Sequence, residues 1–126
     1  MEQKIKSSFR FENFPVYLEV RKFIQLIYKL TATFPKKEQF ELASQLRRAA
    51  TSILLNIAEG ASKKSDAEFN RFLLISIGSA NEIIAILDIA LDQKYVKIDQ
   101  YQIIRQKLES IIKQLYGLSR KLKEKT

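Results

Sequence analysis

Five polar side chains recur at helical spacing in the segment QLRRAATSILLNIAEG, residues 45–60. At 100° per residue they form one continuous ribbon beside an apolar stripe on the same helix. We call this set the polar ribbon; its members are Gln45, Arg48, Ser52, Asn56 and Glu59. A guanidinium, a carboxylate and three neutral hydrogen-bonding groups are suited to fixed hydrogen bonds, and raise the question of a polar pocket.

Three interpretations of the polar ribbon are open from sequence alone. A solvated helix face is the ordinary one, but such faces consist mostly of Lys and Glu. A ligand or catalytic pocket would need an acid–base group, and the chain has no histidine and no cysteine. We favour a polar network at a seam between helices or subunits, in which Arg48 donates to a carboxylate such as Glu82 or Glu59.

The missing residue types exclude several kinds of chemistry. Without histidine or cysteine there can be no Ser-His-Asp or Cys-His nucleophile, no HExxH zinc site, no thiolate metal site and no disulfide. Carboxylates at Glu59, Asp66 and Glu68 form no recognisable catalytic pair. We therefore expect no enzyme, no catalytic or metal site and no cofactor.

The charge of the chain points to an anionic partner. Its 126 residues include 22 Lys and Arg against 14 Asp and Glu, a formal net charge of +8. Small basic domains commonly bind nucleic acid, acidic protein surfaces or lipid headgroups. No apolar run approaches the ~20 residues of a membrane span, and the N-terminus lacks the apolar segment of a signal peptide. We expect a cytoplasmic protein without a membrane partner.

Nucleic acid is one of the anionic partners that this charge allows. The contacts would be sequence-independent and salt-sensitive, because no RNP-type aromatic motif or zinc-finger signature is present. The candidate contacts are Arg47, Lys63, Lys64, Arg71, Lys113, Arg120, Lys121, Lys123 and Lys125. For any single one of these residues, a solvated surface charge is the ordinary alternative.

Apolar periodicity predicts an all-α fold with no strands. Short connections favour antiparallel neighbours, and hence an up-down-up-down four-helix bundle; one continuous coiled coil is the weaker alternative. After a basic, partly extended lead-in at 1–14, the bundle covers 15–126, with helices at about 15–33, 38–59, 65–93 and 99–124.

Helix boundaries follow from capping residues. Pro15 suits the first turn of the first helix, and Gly60 is expected to end the second in a left-handed conformation. Ser65 and Glu68 form a capping box for the third helix, and Asp99 is the expected N-cap of the fourth.

More apolar residues occur than one bundle needs. Apolar residues fall outside the main stripe of three helices: Ile75, Ile86 and Ile89 on the third, Leu54, Leu55 and Ala58 on the second, and Ile103 and Ile112 at the flanks of the fourth. Large exposed apolar patches usually mark interfaces. We therefore predict a homo-oligomer.

Three further residues lie on the outer side of the third helix: Gly78, Ser79 and Glu82. A glycine inside a helix costs about 1 kcal/mol against alanine, which is tolerable if Gly78 admits another helix at close range. Close packing within the chain is the equal alternative. The candidate interface or polar-network residues are Gln45, Arg48, Ser52, Asn56, Glu59, Gly78, Ser79 and Glu82.

The segments FPKKEQFELASQLRRA, QLRRAATSILLNIAEG and EFNRFLLISIGSANEI resemble the 23S rRNA intervening-sequence protein family. The resemblance covers roughly Phe11 to Lys121; Tyr17, where many members have tryptophan, and SIGSANE are departures. It implies an antiparallel four-helix bundle that assembles as a ring-like homopentamer, with no known reaction. The matching motif positions are Arg47, Arg48, Ser52, Asn56, Glu59, Gly60, Gly78, Ser79 and Glu82.

A related group, the accessory variability determinants of diversity-generating retroelements, is basic and pentameric and binds a reverse transcriptase and nucleic acid. The resulting hypothesis is a non-enzymatic, basic, oligomeric nucleic-acid-binding protein, with RNA favoured. The alternative is a protein-interaction scaffold, for example an accessory subunit for a reverse transcriptase. An enzyme is the least favoured hypothesis.

Overall fold

Four α-helices form the fold in the computed structural model, which describes residues 9–124. Two short 3-10 helices lie at Arg10–Asn13 and Lys36–Glu38. The α-helices are α1 (Pro15–Ala32), α2 (Leu42–Ala61), α3 (Asp66–Asp92) and α4 (Ile98–Glu124). Residues 9–124 contain no strand, so the prediction of an all-α fold with four helices is confirmed.

Two helices begin where their capping residues predict. Pro15 occupies the first turn of α1, where its missing N–H leaves no hydrogen bond unmade. The Ser65 hydroxyl accepts a hydrogen bond from the Glu68 backbone N–H at 3.1 Å and caps α3.

The other two begin differently from the prediction. α2 starts at Leu42, because 36–38 form a separate 3-10 helix and Glu41 has non-helical backbone angles, with φ −113° and ψ −104°. α4 starts at Ile98, so the expectation of Asp99 as N-cap is wrong. The Gln100 side chain instead reaches back to the Lys97 N–H, at 3.0 Å.

Gly60 does not end α2 in a left-handed conformation, since no glycine in the described range has positive φ and the helix continues to Ala61. Its missing side chain serves packing instead. A Cβ on Gly60 would lie 2.7 Å from the Phe72 Cβ and 3.2 Å from the Phe69 carbonyl oxygen. Glycine thus lets the end of α2 approach the beginning of α3.

The core is one continuous cluster between the four helices. The most extensive pairing joins α2 to α3; α3–α4 and α1–α2 follow, and α1–α4 is the thinnest. Because α3 packs against both α2 and α4, its buried arc is wide. Ile86, predicted to face outward, is only 2% exposed for this reason, and that prediction is wrong.

Among the helices in the described range, α3 alone has the length and apolar composition that a membrane crossing requires. Of that apolar window, 39% is buried inside the protein. Core helices of globular proteins share this composition, so the feature is weak evidence for a membrane.

Candidate assembly and nucleic-acid surfaces

A groove with a volume of about 490 Å³ lies between α2 and α3. Gln45, Arg48 and Ser52 line it from α2, and Ser79 and Glu82 line it from α3. We call it the α2–α3 groove. The structure thus brings residues of the polar ribbon together with polar residues that lie far along the chain, as expected for a seam between helices.

Small polar side chains connect the two helices in this groove. The Ser52 and Ser79 hydroxyl oxygens lie 2.9 Å apart in a hydrogen bond. The Asn56 side-chain amide donates to the Ser52 carbonyl oxygen at 2.8 Å and to its hydroxyl at 3.1 Å. Deeper in the seam, the Ser76 hydroxyl donates to the Ile53 carbonyl oxygen at 2.9 Å. Ser52 and Asn56 are therefore the two members of the polar ribbon that form fixed hydrogen bonds here.

The charged half of the polar ribbon is arranged differently. Within residues 9–124, Arg48 forms no ion pair with Glu82 or Glu59, so that prediction is wrong for a single chain. Glu59 pairs with Lys63 instead, at 3.0 Å. Arg48 and Glu82 both line the groove and are exposed. Their charges therefore remain available to a molecule that docks there.

Exposed apolar residues flank the α2–α3 groove. Phe40 lines it and is 93% exposed, and Leu55 of α2 is exposed as well. A Cβ on Gly78 would meet no atom within 4 Å, which rules out close packing within the chain as the reason for this glycine. We define the α3 outer face as the exposed residues Leu74, Ile75, Gly78 and Ile89.

Basic residues from two distant segments meet at one end of the bundle. The Ser119 hydroxyl donates a hydrogen bond to the Asn70 side-chain oxygen, which joins the end of α4 to the beginning of α3. We call this end the basic pole; its members are Lys63, Lys64, Arg71, Arg120, Lys121 and Lys123. Asp66 and Glu68, in the first turn of α3, partly offset the positive charge of the basic pole.

The members of the basic pole have different surroundings. Lys63 forms the ion pair with Glu59, and its ammonium nitrogen lies 5.3 Å from the Phe72 ring centroid. The Arg71 guanidinium covers the same ring at 4.9 Å. Lys64 is exposed, and so are Arg120 and Lys121 on α4.

The remaining predicted contacts lie elsewhere. The Arg47 guanidinium donates to the Gln39 carbonyl oxygen at 3.0 Å and lies 6.0 Å from the Tyr28 ring centroid, so it secures the α1–α2 connection. Lys113 is exposed along α4, away from the pole. Lys125 lies outside the described residues.

Sequence reasoning missed two basic features. The Arg10 guanidinium lies over the Phe14 and Phe69 rings and donates to the Ala61 carbonyl oxygen, and so fastens the N-terminal 3-10 helix to the bundle. A groove between α1 and α4 is lined by Lys22, Lys29 and Lys107. The only sequence signal for it is the seven-residue spacing of the first two lysines, which places them on one helix face.

Two hydrogen-bonded groups outside the grooves have shifted pKa values. A hydrogen bond to Glu38, helped by burial and the negative charge, raises the pKa of Tyr95. Hydrogen bonds to Tyr101 and Glu109 raise the pKa of Arg105. The first contact joins two interhelical connections, and the second lies along α4. Across the described range, no group of three or more His, Cys, Asp or Glu residues is placed to hold a metal ion.

Comparison with known proteins is consistent with this architecture. No curated protein matches the sequence. A protein of unknown function from the S23 ribosomal protein family of Bacteroides thetaiotaomicron VPI-5482 is similar in its crystal structure, with 27% identity and a TM-score of 0.77 over 83% of this chain and 95% of that chain. The family model described as 23S rRNA-intervening sequence protein matches residues 12–117. This chain therefore belongs to the 23S rRNA-intervening sequence protein family.

Proposed function

We propose that this protein is an oligomeric, non-enzymatic nucleic-acid-binding protein whose favoured ligand is RNA. The observation that carries the proposal is the basic pole, where cations from the α2–α3 connection and from the end of α4 lie at one end of a protein with a net charge of +8. Lysine and arginine at such a surface bind phosphates without reading sequence. In a symmetric oligomer the pole is repeated, and avidity strengthens a weak single contact.

The proposed assembly buries the α2–α3 groove and the α3 outer face between subunits. Each subunit is taken as an up-down-up-down bundle, which is supported by contacts that rise along α2 as they fall along α3: Ser52 with Ser79, Ile53 with Ser76, and Gly60 with Phe72. A ring-like homopentamer is the arrangement that the family resemblance implies. The exposed charges of Arg48 and Glu82 would find opposite charges across the interface.

A protein-interaction scaffold is the second candidate, and the exposure of Phe40 favours it. An aromatic ring that is 93% exposed beside a polar groove fits an anchor for another protein, such as a reverse transcriptase. RNA binding separates the two functions, because a pure scaffold retains no RNA at low salt.

The test measures retention of a short single-stranded RNA by the wild-type chain between about 50 and 200 mM salt. We expect retention at the low end and a steep loss toward the high end. Three substitutions in the basic pole, Lys64→Gln, Arg120→Gln and Lys121→Gln, should lower the slope of log affinity against log salt by about 2, since each phosphate contact on a single strand contributes about 0.7.

A control with the same charge change is available at the other end of the bundle. Lys36, Lys37 and Lys97 are exposed and form no ion pair within the described range, so their triple change to Gln should leave the slope unchanged. No retention at 50 mM would contradict the proposed function. Equal slopes for the two triple variants would remove the basic pole from it.

A further inference from the structure

The groove between α1 and α4 has a volume of about 510 Å³. Lys22 and Lys29 line it from α1 and Lys107 from α4, above the buried side chains of Phe23 and Ile111. The groove forms at this position because α1 and α4 pack against each other less extensively than any other pair of neighbouring helices. We call it the α1–α4 groove.

The positive charge of this groove is not neutralised from within. Its three lysines are exposed and form no ion pair in the part of the chain that the structure describes. Glu19 is the one carboxylate among the described lining residues, and its Oε2 accepts a hydrogen bond from the Gln114 side chain at 2.7 Å. The groove therefore contains three lysine ammonium groups and only one lining carboxylate, and that carboxylate already accepts a hydrogen bond.

The spacing of the cations favours a polymer over a small ion. Lys22 and Lys29 are two helical turns apart, about 10 Å along α1, and Lys107 lies on the opposite wall. Charges spread along a groove match a chain with repeated negative charge, whereas a single phosphate needs donors that converge on one point.

The neutral lining residues narrow the class of polymer. Gln25 and Ser110 supply hydrogen-bonding groups that can contact phosphate or sugar oxygens. The lining aromatic ring, Phe23, is buried, so no base can stack on it. A strand held here is contacted through its backbone, and its sequence is not read.

We propose that the α1–α4 groove holds the sugar–phosphate backbone of a nucleic-acid strand, with Lys22, Lys29 and Lys107 contacting its phosphates. This inference rests on the proposed nucleic-acid-binding function and gives it a second surface beside the basic pole. Since the contacts link α1 to α2, α2 to α3, α3 to α4 and α4 to α1, this groove lies opposite the α2–α3 groove. Its lining shares no residue with the α2–α3 groove or the α3 outer face, through which subunits are proposed to assemble.

The first experiment uses the same single-stranded RNA and salt range with Lys22→Gln, Lys29→Gln and Lys107→Gln in one chain. Losing three phosphate contacts should lower the slope of log affinity against log salt concentration by about 2. Between about 50 and 200 mM salt, the affinity of the variant should therefore fall by a factor about 20-fold smaller than that of wild type. The triple variant at Lys36, Lys37 and Lys97 is the matched control and should keep the wild-type slope.

The second experiment leaves every lysine in place. Because the chain has no cysteine, Gln25→Cys introduces a single thiol that carries a fluorescent probe in the groove. Gln106→Cys, at an exposed position of α4 outside the groove lining, carries the control probe. Added RNA should change the emission of the probe at position 25 at least several-fold more than that at position 106.

The outcomes separate the two proposals. If wild type retains RNA while the groove variant behaves as its control and the two probes respond alike, the groove inference is overturned and the proposed function stands. If wild type retains no RNA, both are overturned. If poly-glutamate changes the emission of the probe at position 25 as strongly as RNA does, the groove binds acidic polypeptide and the nucleic-acid assignment is overturned.

Discussion

At the scale of single residues, the missing side chain of Gly60 sets how closely α2 approaches α3. We expect Gly60→Ala to destabilise the protein by about 1–2 kcal/mol, because a Cβ 2.7 Å from the Phe72 Cβ and 3.2 Å from a backbone oxygen forces the helices apart. This loss exceeds the gain in helix propensity, which is small near a helix end. Urea unfolding followed by circular dichroism measures it.

Gly117 provides the control for this substitution. It lies inside α4, and the nearest atom to a Cβ built there is the Arg120 guanidinium nitrogen at 4.0 Å. Gly117→Ala should therefore stabilise the protein by up to about 1 kcal/mol. If both variants shift the unfolding midpoint in the same direction, close packing is not what requires glycine at position 60.

The sequence predicts which residues form the polar ribbon, but it does not predict which residues their side chains contact. The spacing of Gln45, Ser52 and Asn56 is enough to place them on one edge of α2. That Ser52 meets Ser79 depends on the register of α2 against α3, which no local pattern encodes. Arg48 and Glu82 share a groove without pairing, because long exposed side chains gain little from an ion pair in water.

At the scale of elements, helix interiors could be predicted and connections could not. The apolar spacing places α1 within one residue of its observed end, because a buried stripe extends along the whole helix. The predicted start of α2 is too early, because a separate 3-10 helix at Lys36–Glu38 and the non-helical Glu41 precede it. The prediction for Ile86 is wrong because a single apolar stripe underestimates the buried arc of α3, the α-helix that packs most extensively against the other α-helices.

The contact between Tyr95 and Glu38 joins the two connections at one end of the bundle. The Tyr95 hydroxyl donates to the Glu38 carboxylate at 2.8 Å, and its ring lies 5.6 Å from that of Phe34. The raised pKa of Tyr95 means that the folded chain holds this proton to higher pH than the unfolded chain does. Its contribution to stability is complete below the ordinary tyrosine pKa of about 10 and is lost as the pH rises through the raised value.

We therefore expect the stability difference between wild type and Tyr95→Phe to shrink as the pH rises from about 8 to about 11. Urea midpoints across this range measure it, and the other tyrosines titrate in both proteins and cancel. Tyr116→Phe is the control, because Tyr116 is exposed and has no hydrogen bond through its hydroxyl within the described range. A pH-independent difference for Tyr95→Phe would show that the contact with Glu38 does not link stability to pH.

At the scale of the whole molecule, the α2–α3 groove and the α1–α4 groove lie on opposite sides of the bundle and differ in character. The α2–α3 groove is lined by polar groups of both charges and by the exposed Phe40, and one of its helices carries the apolar α3 outer face. The α1–α4 groove is lined by three lysines above apolar side chains. Apolar surface favours contact with another protein surface, and unpaired cations favour a polyanion. Because the two grooves share no lining residue, the proposed assembly at the first and the proposed nucleic-acid binding at the second do not compete for the same side chains.

The assembly is tested by placing a charge on the α3 outer face. Ile75 is 43% exposed there, and Ile75→Lys should raise the subunit dissociation constant by about 30-fold or more, because a central apolar interface residue contributes about 2 kcal/mol and a buried ammonium opposes association further. Light scattering across a dilution series measures the oligomer.

Leu18→Lys on α1 is the matched control, since Leu18 is 47% exposed and lies on a helix outside this interface. Both variants should keep the helical circular dichroism of wild type, because neither side chain belongs to the core. A wild-type chain that is monomeric at micromolar concentration would contradict the assembly itself. Dissociation by Leu18→Lys but not by Ile75→Lys would move the interface from α3 to α1.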